Sequence, residues 1–388
     1  MNIETFDFAS LSLERLRDRR SAKWSCYPPD VLPAWVAEMD FPLAPAVKQA
    51  LSAAIERDDC GYAWPAGVAA AFVRFAIHRF DWIVDADRVR LVADVMTGVA
   101  EVLRVLTSLG DGVVINPPIY PPFYAVLQDI GRPAVEVPLL PTSVGWRLDF
   151  DALQAAFAAG ARAYLLCNPH NPTGLVLAEA DLRRIAELAN RYDVAVVADE
   201  IHAPLVLAGA RHTPYAGLGE EAAARGVTLT SASKGWNIAG LKCALIVAGS
   251  AVMQERLAAI PPGVGFHVGH LGGIASVAAF EHGMSWLDAV VGQLDRNRVM
   301  LAELLRAQLP AVGYQPPQAG YLAWLDCRAL GLGDDPAEVF LEGGRVALSP
   351  GPRFGSPGLG WARLNFGTSP NLLAEAVRRM AGAVGQTS

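Results

Sequence analysis

Up to about Met284, short apolar runs alternate with helical patterns along the chain. The runs at 113–116, 163–167, 195–198, 228–231 and 243–248 are all short, most contain β-branched residues, and Gly, Pro, Asn or Asp lies close to most of their ends. Those features predict strands. Between them, Val99, Val102, Leu103 and Leu106 recur at helical spacing, as do Leu182, Ile185, Ala186, Leu188 and Ala189. Strands alternating with helices predict an α/β fold with a mostly parallel sheet. After Met284 the pattern changes to a long helical stretch at 286–309, a strand-like 320–325 and a final helix near 372–384. That change predicts a second, smaller α+β unit, joined by the N-terminal segment.

Composition narrows the class. The 388 residues are 52% hydrophobic and 18% charged, which fits a chain with a substantial core and not a disordered one. A net charge of -7 argues against general nucleic-acid binding, which needs a basic footprint. Cys26, Cys60, Cys167, Cys243 and Cys327 are scattered and lack paired metal spacing, so reduced thiols are expected. Early acidic residues (Glu4, Asp7) argue against a secretory signal. Residues 257–280 carry no Asp, Glu, Lys or Arg, yet hold two histidines, a Pro-Pro step and several glycines. A loop and a buried helix are expected there, no membrane span, and the cytoplasm is the default location. His267 and His270 lack carboxylate or cysteine neighbours, so packing is expected, with no metal. The pairs Asp58-Asp59 and Asp334-Asp335 fit solvated loop ends, and no Gly-x-Gly-x-x-Gly run follows a strand.

Five segments carry candidate chemistry. Thr230-Ser231-Ala232-Ser233-Lys234 follows a strand and leads through a glycine-containing stretch to Lys242. A lysine amine beside two hydroxyls suits a phosphate-bearing aldehyde: the amine forms an imine, while Ser231, Ser233 and a second cation such as Lys242 hold phosphate oxygens. Taken alone, a surface lysine after a strand is the more ordinary reading. Asp199 ends another apolar run, where open α/β sheets place ligands. Beside a pyridine ring it would keep the ring nitrogen protonated, with His202 in reach of the ring oxygen. A solvated Asp-Glu pair has at least equal claim on that segment alone. The loop from Cys167 to Gly174 holds two Asn-Pro steps and a Thr-Gly, which stiffen it and fix the Asn171 amide. Thr97-Gly98-Val99 is expected to open a helix at 99–109, with the Gly98 and Val99 N–H groups facing an anion, though ordinary capping fits as well. Tyr120, in a proline-stiffened turn, could stack on an aromatic ring or sit half-buried in the core.

In this order and spacing, Asn171-Pro172-Thr173-Gly174, Asp199 with His202, Ser231-x-Ser233-Lys234 and Arg363-Leu364-Asn365-Phe366-Gly367 resemble the class I/II aminotransferase-like family of pyridoxal-phosphate (PLP) enzymes, over most of the chain. Finer features resemble its C–S β-lyase branch, the cystathionine β-lyase-like proteins of the maltose-regulator type. These are Trp35-Val36-Ala37-Glu38-Met39-Asp40-Phe41, Gly61-Tyr62-Ala63-Trp64-Pro65, His170 within the Asn-Pro loop, Asp199-Glu200-Ile201-His202 and Asn237-Ile238-Ala239-Gly240-Leu241. Pro204 and Gly235-Trp236 depart from the branch pattern and bear on substrate preference.

The resemblance implies fold type I: a large domain, 46–284, around a mostly parallel seven-stranded-type sheet sandwiched by helices, and a small α+β domain from 1–45 and 285–388. It implies a homodimer with shared sites. It makes Lys234 the lysine that carries the cofactor and Asp199 the partner of its ring nitrogen. Asn171 and His202 would lie near the ring oxygen, with Tyr120 stacked on the ring. Ser231, Ser233, Lys242 and the Gly98-Val99 backbone would hold phosphate, with Tyr62 reaching the neighbouring subunit. Arg363 would grip the substrate carboxylate through parallel hydrogen bonds. The implied activity is β-elimination from cystathionine-like amino acids to a thiol, pyruvate and ammonia. The alternatives are an aminotransferase and a regulatory or binding protein on the same fold.

Overall fold

The computed structural model describes residues 6–64 and 66–387; Glu4 and Pro65 lie outside them. Seven strands form the central sheet: β1 (Val89–Val92), β2 (Val113–Ile115), β3 (Ala134–Glu136), β4 (Ala163–Cys167), β5 (Ala195–Asp199), β6 (Gly226–Thr230) and β7 (Ala244–Ala248). Their spatial order is β1-β7-β6-β5-β4-β2-β3. Strands β6, β5, β4, β2 and β3 pair in parallel, whereas β7 pairs antiparallel with both β6 and β1. Six strands therefore run one way and β7 runs against them.

Every residue of β4 to β7 is buried. Val92, Ile115, Leu165, Val197, Leu229 and Ile246 join one apolar cluster, while Val114, Tyr164, Leu166, Val196 and Ala198 join a second. Side chains alternate across a strand, so these clusters occupy opposite faces of the sheet. A sheet covered on both faces needs no polar alternation, which is why its strands read as continuous apolar runs.

One helix starts earlier than its apolar period indicates. It spans Val95–Leu106 (α1), and Asp94 caps it by accepting the Thr97 N–H at 2.8 Å and the Thr97 hydroxyl at 2.9 Å. Gly98 consequently lies within the first turn, with its N–H on the Asp94 carbonyl at 3.0 Å, and Val99 lies deeper still. The expectation that their N–H groups face an anion is corrected: the donors left free by helix geometry at this end belong to Val95 and Met96. Gly98 instead lets α1 approach the sheet, since a Cβ there would sit 2.8 Å from Leu229 Cδ2.

The chain ends meet. Leu32–Pro33 pairs in parallel with Val346–Ala347. Gly313–Tyr314, Leu322–Asp326, Trp361–Asn365 and Ser349–Pro350 form an antiparallel sheet in that spatial order. The charge-free stretch resolves into the end of helix Ala251–Leu257, a 3-10 turn at Pro262–His267 and the largely buried helix His270–His282. Among the described residues no helix is long and apolar enough to cross a membrane.

The loop at 34–41 has little regular structure and is fixed by side chains. Asn365 Nδ2 donates to the Val36 and Glu38 carbonyls at 2.7 and 2.6 Å. Asn237 both accepts the Met39 N–H and donates to the Met39 carbonyl, each at 2.8 Å. Lys23, with its side chain 1% exposed, pairs with Asp40 at 2.8 Å and donates to the Glu38 carbonyl at 3.1 Å. Removing one partner of a buried pair leaves the other charge uncompensated. Lys23→Met is therefore expected to lower stability by about 3–5 kcal/mol, read from the urea midpoint. A loss below about 1 kcal/mol, the level of an exposed pair, would contradict the buried anchor.

Candidate active site

Strand direction gathers the chemistry. Strands β4, β5 and β6 are parallel, so Cys167, Asp199 and Thr230 end at one edge of the sheet. Strand β1 ends there too and hands the chain to Asp94 and α1. Because β7 runs the other way, its start lies at the same edge, with Ala244 beside Val92 and Leu245 beside Thr230. Lys242 and Cys243, which precede β7, therefore arrive beside Ser231 and Asp94. A cavity of about 360 Å³ opens at this edge, and Tyr120, Asn171, Asp199, His202, Ser231, Ser233, Lys234 and Lys242 all line it.

Lys234 is enclosed by protein, and its Nζ donates to the Ala37 carbonyl at 2.7 Å. The Tyr321 hydroxyl donates to the same oxygen at 2.9 Å. Burial and then repulsion from Arg363 push the Lys234 pKa down to about 8, against the pull of Glu38 and Asp199. Burial pushes the Asp199 carboxyl up to about 7, with Glu200 adding, while the Ile201 N–H and Lys234 oppose. Both groups are thus drawn toward neutrality. His202 is buried with its ring against Tyr321, and its Nδ1 has no hydrogen-bond partner among the described residues. Burial, with Lys234 and Arg363 adding, pushes its pKa down to about 3, so it is a neutral imidazole.

Arg363 is buried but stands behind Asn171 and outside the cavity wall. It donates from Nη1 to Asn171 Oδ1 at 2.9 Å, and from Nη2 to the Trp35 carbonyl and Ser349 Oγ at 3.0 Å each. Its Nε is buried without a partner among the described residues. With Oδ1 taken, the Asn171 amide group is what remains to donate. The loop that carries Asn171 is bonded at several points: His170 Nε2 lies 3.2 Å from the Asn116 carbonyl, and Nδ1 lies 2.9 Å from Thr173 Oγ1. The Asn168-Pro169 and Asn171-Pro172 bonds are both cis. Tyr120 is partly buried, packs edge-on against Phe123, and has its pKa raised by burial.

At the other end of the cavity, Ser231 accepts the Ser233 N–H at 3.0 Å and donates to the Cys243 carbonyl at 2.7 Å. Lys242 Nζ lies 2.9 Å from Asp94 Oδ2. These groups, with the free N–H donors of Val95 and Met96, make an anion-binding set that fits a phosphate. Tyr62 stands apart, fully exposed and outside the cavity wall, and the buried Gly98 and Val99 lie outside that wall as well. Sequence reasoning missed Asp94, Ala37 and Tyr321. Asp94 carried a signal, an acidic residue three positions before Thr97 at the start of an apolar repeat. The Ala37 carbonyl carried none, because a backbone acceptor looks alike at every residue.

The model for the family "Aminotransferase class I and II" matches residues 40–380. The chain belongs to this family. Within the aminotransferase class I and II family it is 36% identical over 375 residues to the cystathionine beta-lyase of Corynebacterium glutamicum, covering 96% of this chain and 99% of that relative. It is 34% identical over 364 residues to the cystathionine beta-lyase PatB of Bacillus subtilis, covering 92% and 93%. Cystalysin from Treponema denticola, whose crystal structure contains a pyridoxal 5'-phosphate cofactor, superposes with a TM-score of 0.93 at 26% identity, covering 99% of this chain and 100% of that one. The fold is that of the fold type I PLP-dependent enzymes.

The depressed Lys234 pKa has a direct readout. Only the neutral amine adds to an aldehyde, and here it becomes half-populated near pH 8, below the ordinary 10.5. Capture of an aromatic aldehyde by the cofactor-free protein, measured by absorbance, is expected to speed up as pH rises and to level off above about pH 9. Capture should vanish in Lys234→Ala. A midpoint near the ordinary lysine value would contradict the burial argument.

Proposed function

We propose that this protein is a PLP-dependent carbon–sulfur β-lyase. It cleaves cystathionine or a related cysteine S-conjugate to a thiol, pyruvate and ammonia by α,β-elimination. One observation carries the reading: a half-buried lysine amine and a buried carboxylate, both drawn toward neutrality, face one cavity whose far end is built for an anion. The C–S lyase names of relatives spanning nearly the whole chain support the same activity. When bound, the cofactor supplies an aldehyde that condenses with amines and a pyridine ring that accepts electron density.

In this reading the chain's own residues divide the work. Lys234 holds the cofactor, then takes the proton from the substrate Cα, and its lowered pKa suits that role. As the proton leaves, the bond from Cβ to sulfur breaks and the thiol departs. The remaining three-carbon unit takes up water to give pyruvate and ammonia. Asp199 would hold a proton on the ring nitrogen, and its own buried carboxyl would then be charged. The Asn171 amide and His202 would serve the ring oxygen, and Tyr120, in the same cavity wall, would stack on the ring. Lys242, Ser233, the Val95 and Met96 N–H groups and a reoriented Ser231 hydroxyl hold the phosphate. Arg363, through its unpartnered Nε, takes the substrate carboxylate beside Asn171. The reading includes a homodimer in which the exposed Tyr62 serves the neighbouring subunit. It includes a division into a large domain, 46–284, and a small domain, 1–45 with 285–388, supported by the pairing of the two chain ends. Five free cysteines fit a reducing, cytoplasmic setting.

Purified protein with PLP is expected to show a band near roughly 420 nm and to release pyruvate steadily from L-cystathionine without any keto acid. Lys234→Ala should lower turnover by about 10²–10⁴-fold, the share of a lost proton-transfer group. Turnover only on adding a keto acid would make the protein an aminotransferase. A missing band and no turnover after adding PLP would sink the catalytic reading in favour of a binding protein.

A further inference from the structure

The anion-binding end of the cavity holds a charge that the lyase chemistry does not use. Asp94 Oδ1 accepts the N–H and hydroxyl of Thr97, and Oδ2 accepts Lys242 Nζ at 2.9 Å. The carboxylate is thereby fixed at the start of α1, in the same cavity wall as Lys242, Ser231 and Ser233. Helix capping does not account for its charge, because Asn and Ser cap as well as Asp does. A phosphate ester entering this end brings about 1.5 to 2 negative charges at neutral pH. It meets a helix end worth roughly half a positive charge and the Lys242 ammonium, which the Asp94 carboxylate already offsets.

We propose that Asp94 loosens the protein's hold on the cofactor phosphate. In the empty site its carboxylate keeps Lys242 at the anion-binding end. Once a phosphate is present, Asp94 must share that ammonium and repels the phosphate as a like charge. The site therefore captures a phosphate ester at a prepositioned cation but holds it less tightly than a neutral cap would allow. This rests on the reading of the cavity as the PLP site, and it adds to that reading a residue that sets cofactor exchange.

The test is binding, with no turnover involved. Full-length protein stripped of cofactor is titrated with PLP, and separately with pyridoxal, which lacks the phosphate. Wild type, Asp94→Asn and Asp94→Ser are compared by absorbance and tryptophan fluorescence. Both variants keep a capping side chain, so the helix start survives in each. Both are expected to bind PLP about tenfold tighter, the order expected on removing one like charge a few Å away near the surface. Pyridoxal affinity should be unchanged, and the gain should shrink as salt rises. Unchanged or weaker PLP binding in both variants would overturn the proposal, as would an equal gain for pyridoxal. Wild-type protein that binds neither aldehyde would instead remove the reading of the cavity itself, and this inference with it.

Discussion

The Lys234 ammonium lies in the cavity wall, half-buried and with no carboxylate against it among the described residues, and it rests on the Ala37 carbonyl. A lone cation away from water is unfavourable, so the amine drifts toward neutrality. Asp199, buried nearby, drifts toward neutrality from the acid side. Arg363, held by Asn171, Ser349 and Trp35 through its two terminal nitrogens, sharpens the first effect by repulsion. The cavity thus holds an amine and a carboxyl of reduced charge, and an aldehyde and a basic ring nitrogen would give both favourable partners. The protein does not relieve this itself, because Glu38 and Asp199 offset only part of the burial effect.

Convergence of those groups depends on one reversed strand. Parallel strands place Cys167, Asp199 and Thr230 at one edge, but each supplies only the residues just past its C-terminal end. Strand β7 supplies the residues just before its N-terminal end, and that is how Lys242 and Cys243 come beside Ser231. A seventh parallel strand would have carried them to the opposite edge. Asp94 arrives through β1 on the far side of β7, which closes the anion-binding end from two directions.

Much of this was legible in the sequence where burial was complete. The run at 163–167 matches β4 because both sheet faces are covered and every position is apolar. Lys234, Asp199, His202, Asn171, Tyr120, Ser231, Ser233 and Lys242 do share one cavity. The start of α1 was missed because periodicity counts apolar positions, and its first turn is set by a polar cap. That error moved the anion donors from Val95 and Met96 to Gly98 and Val99. Arg363 was expected on the substrate, and in the folded chain it is seen holding Asn171 from behind, a relation between distant segments that no local pattern encodes. Tyr62 lies exposed and away from the cavity, a placement that its local Cys-Gly-Tyr pattern does not encode.

The loop at 34–41 constrains the order in which the protein can be made. Its Ala37 carbonyl seats the lysine amine, but Asn365, near the other end of the chain, ties down the carbonyls on either side of it. During synthesis the early segment emerges first and domains form as their residues become available. Strands β1 to β7 can assemble while the strand Trp361–Asn365 is still unmade, but the seat for Lys234 cannot. The lysine pocket is therefore completed only after Asn365 has been made, and the nascent chain has no finished aldehyde site before that residue emerges.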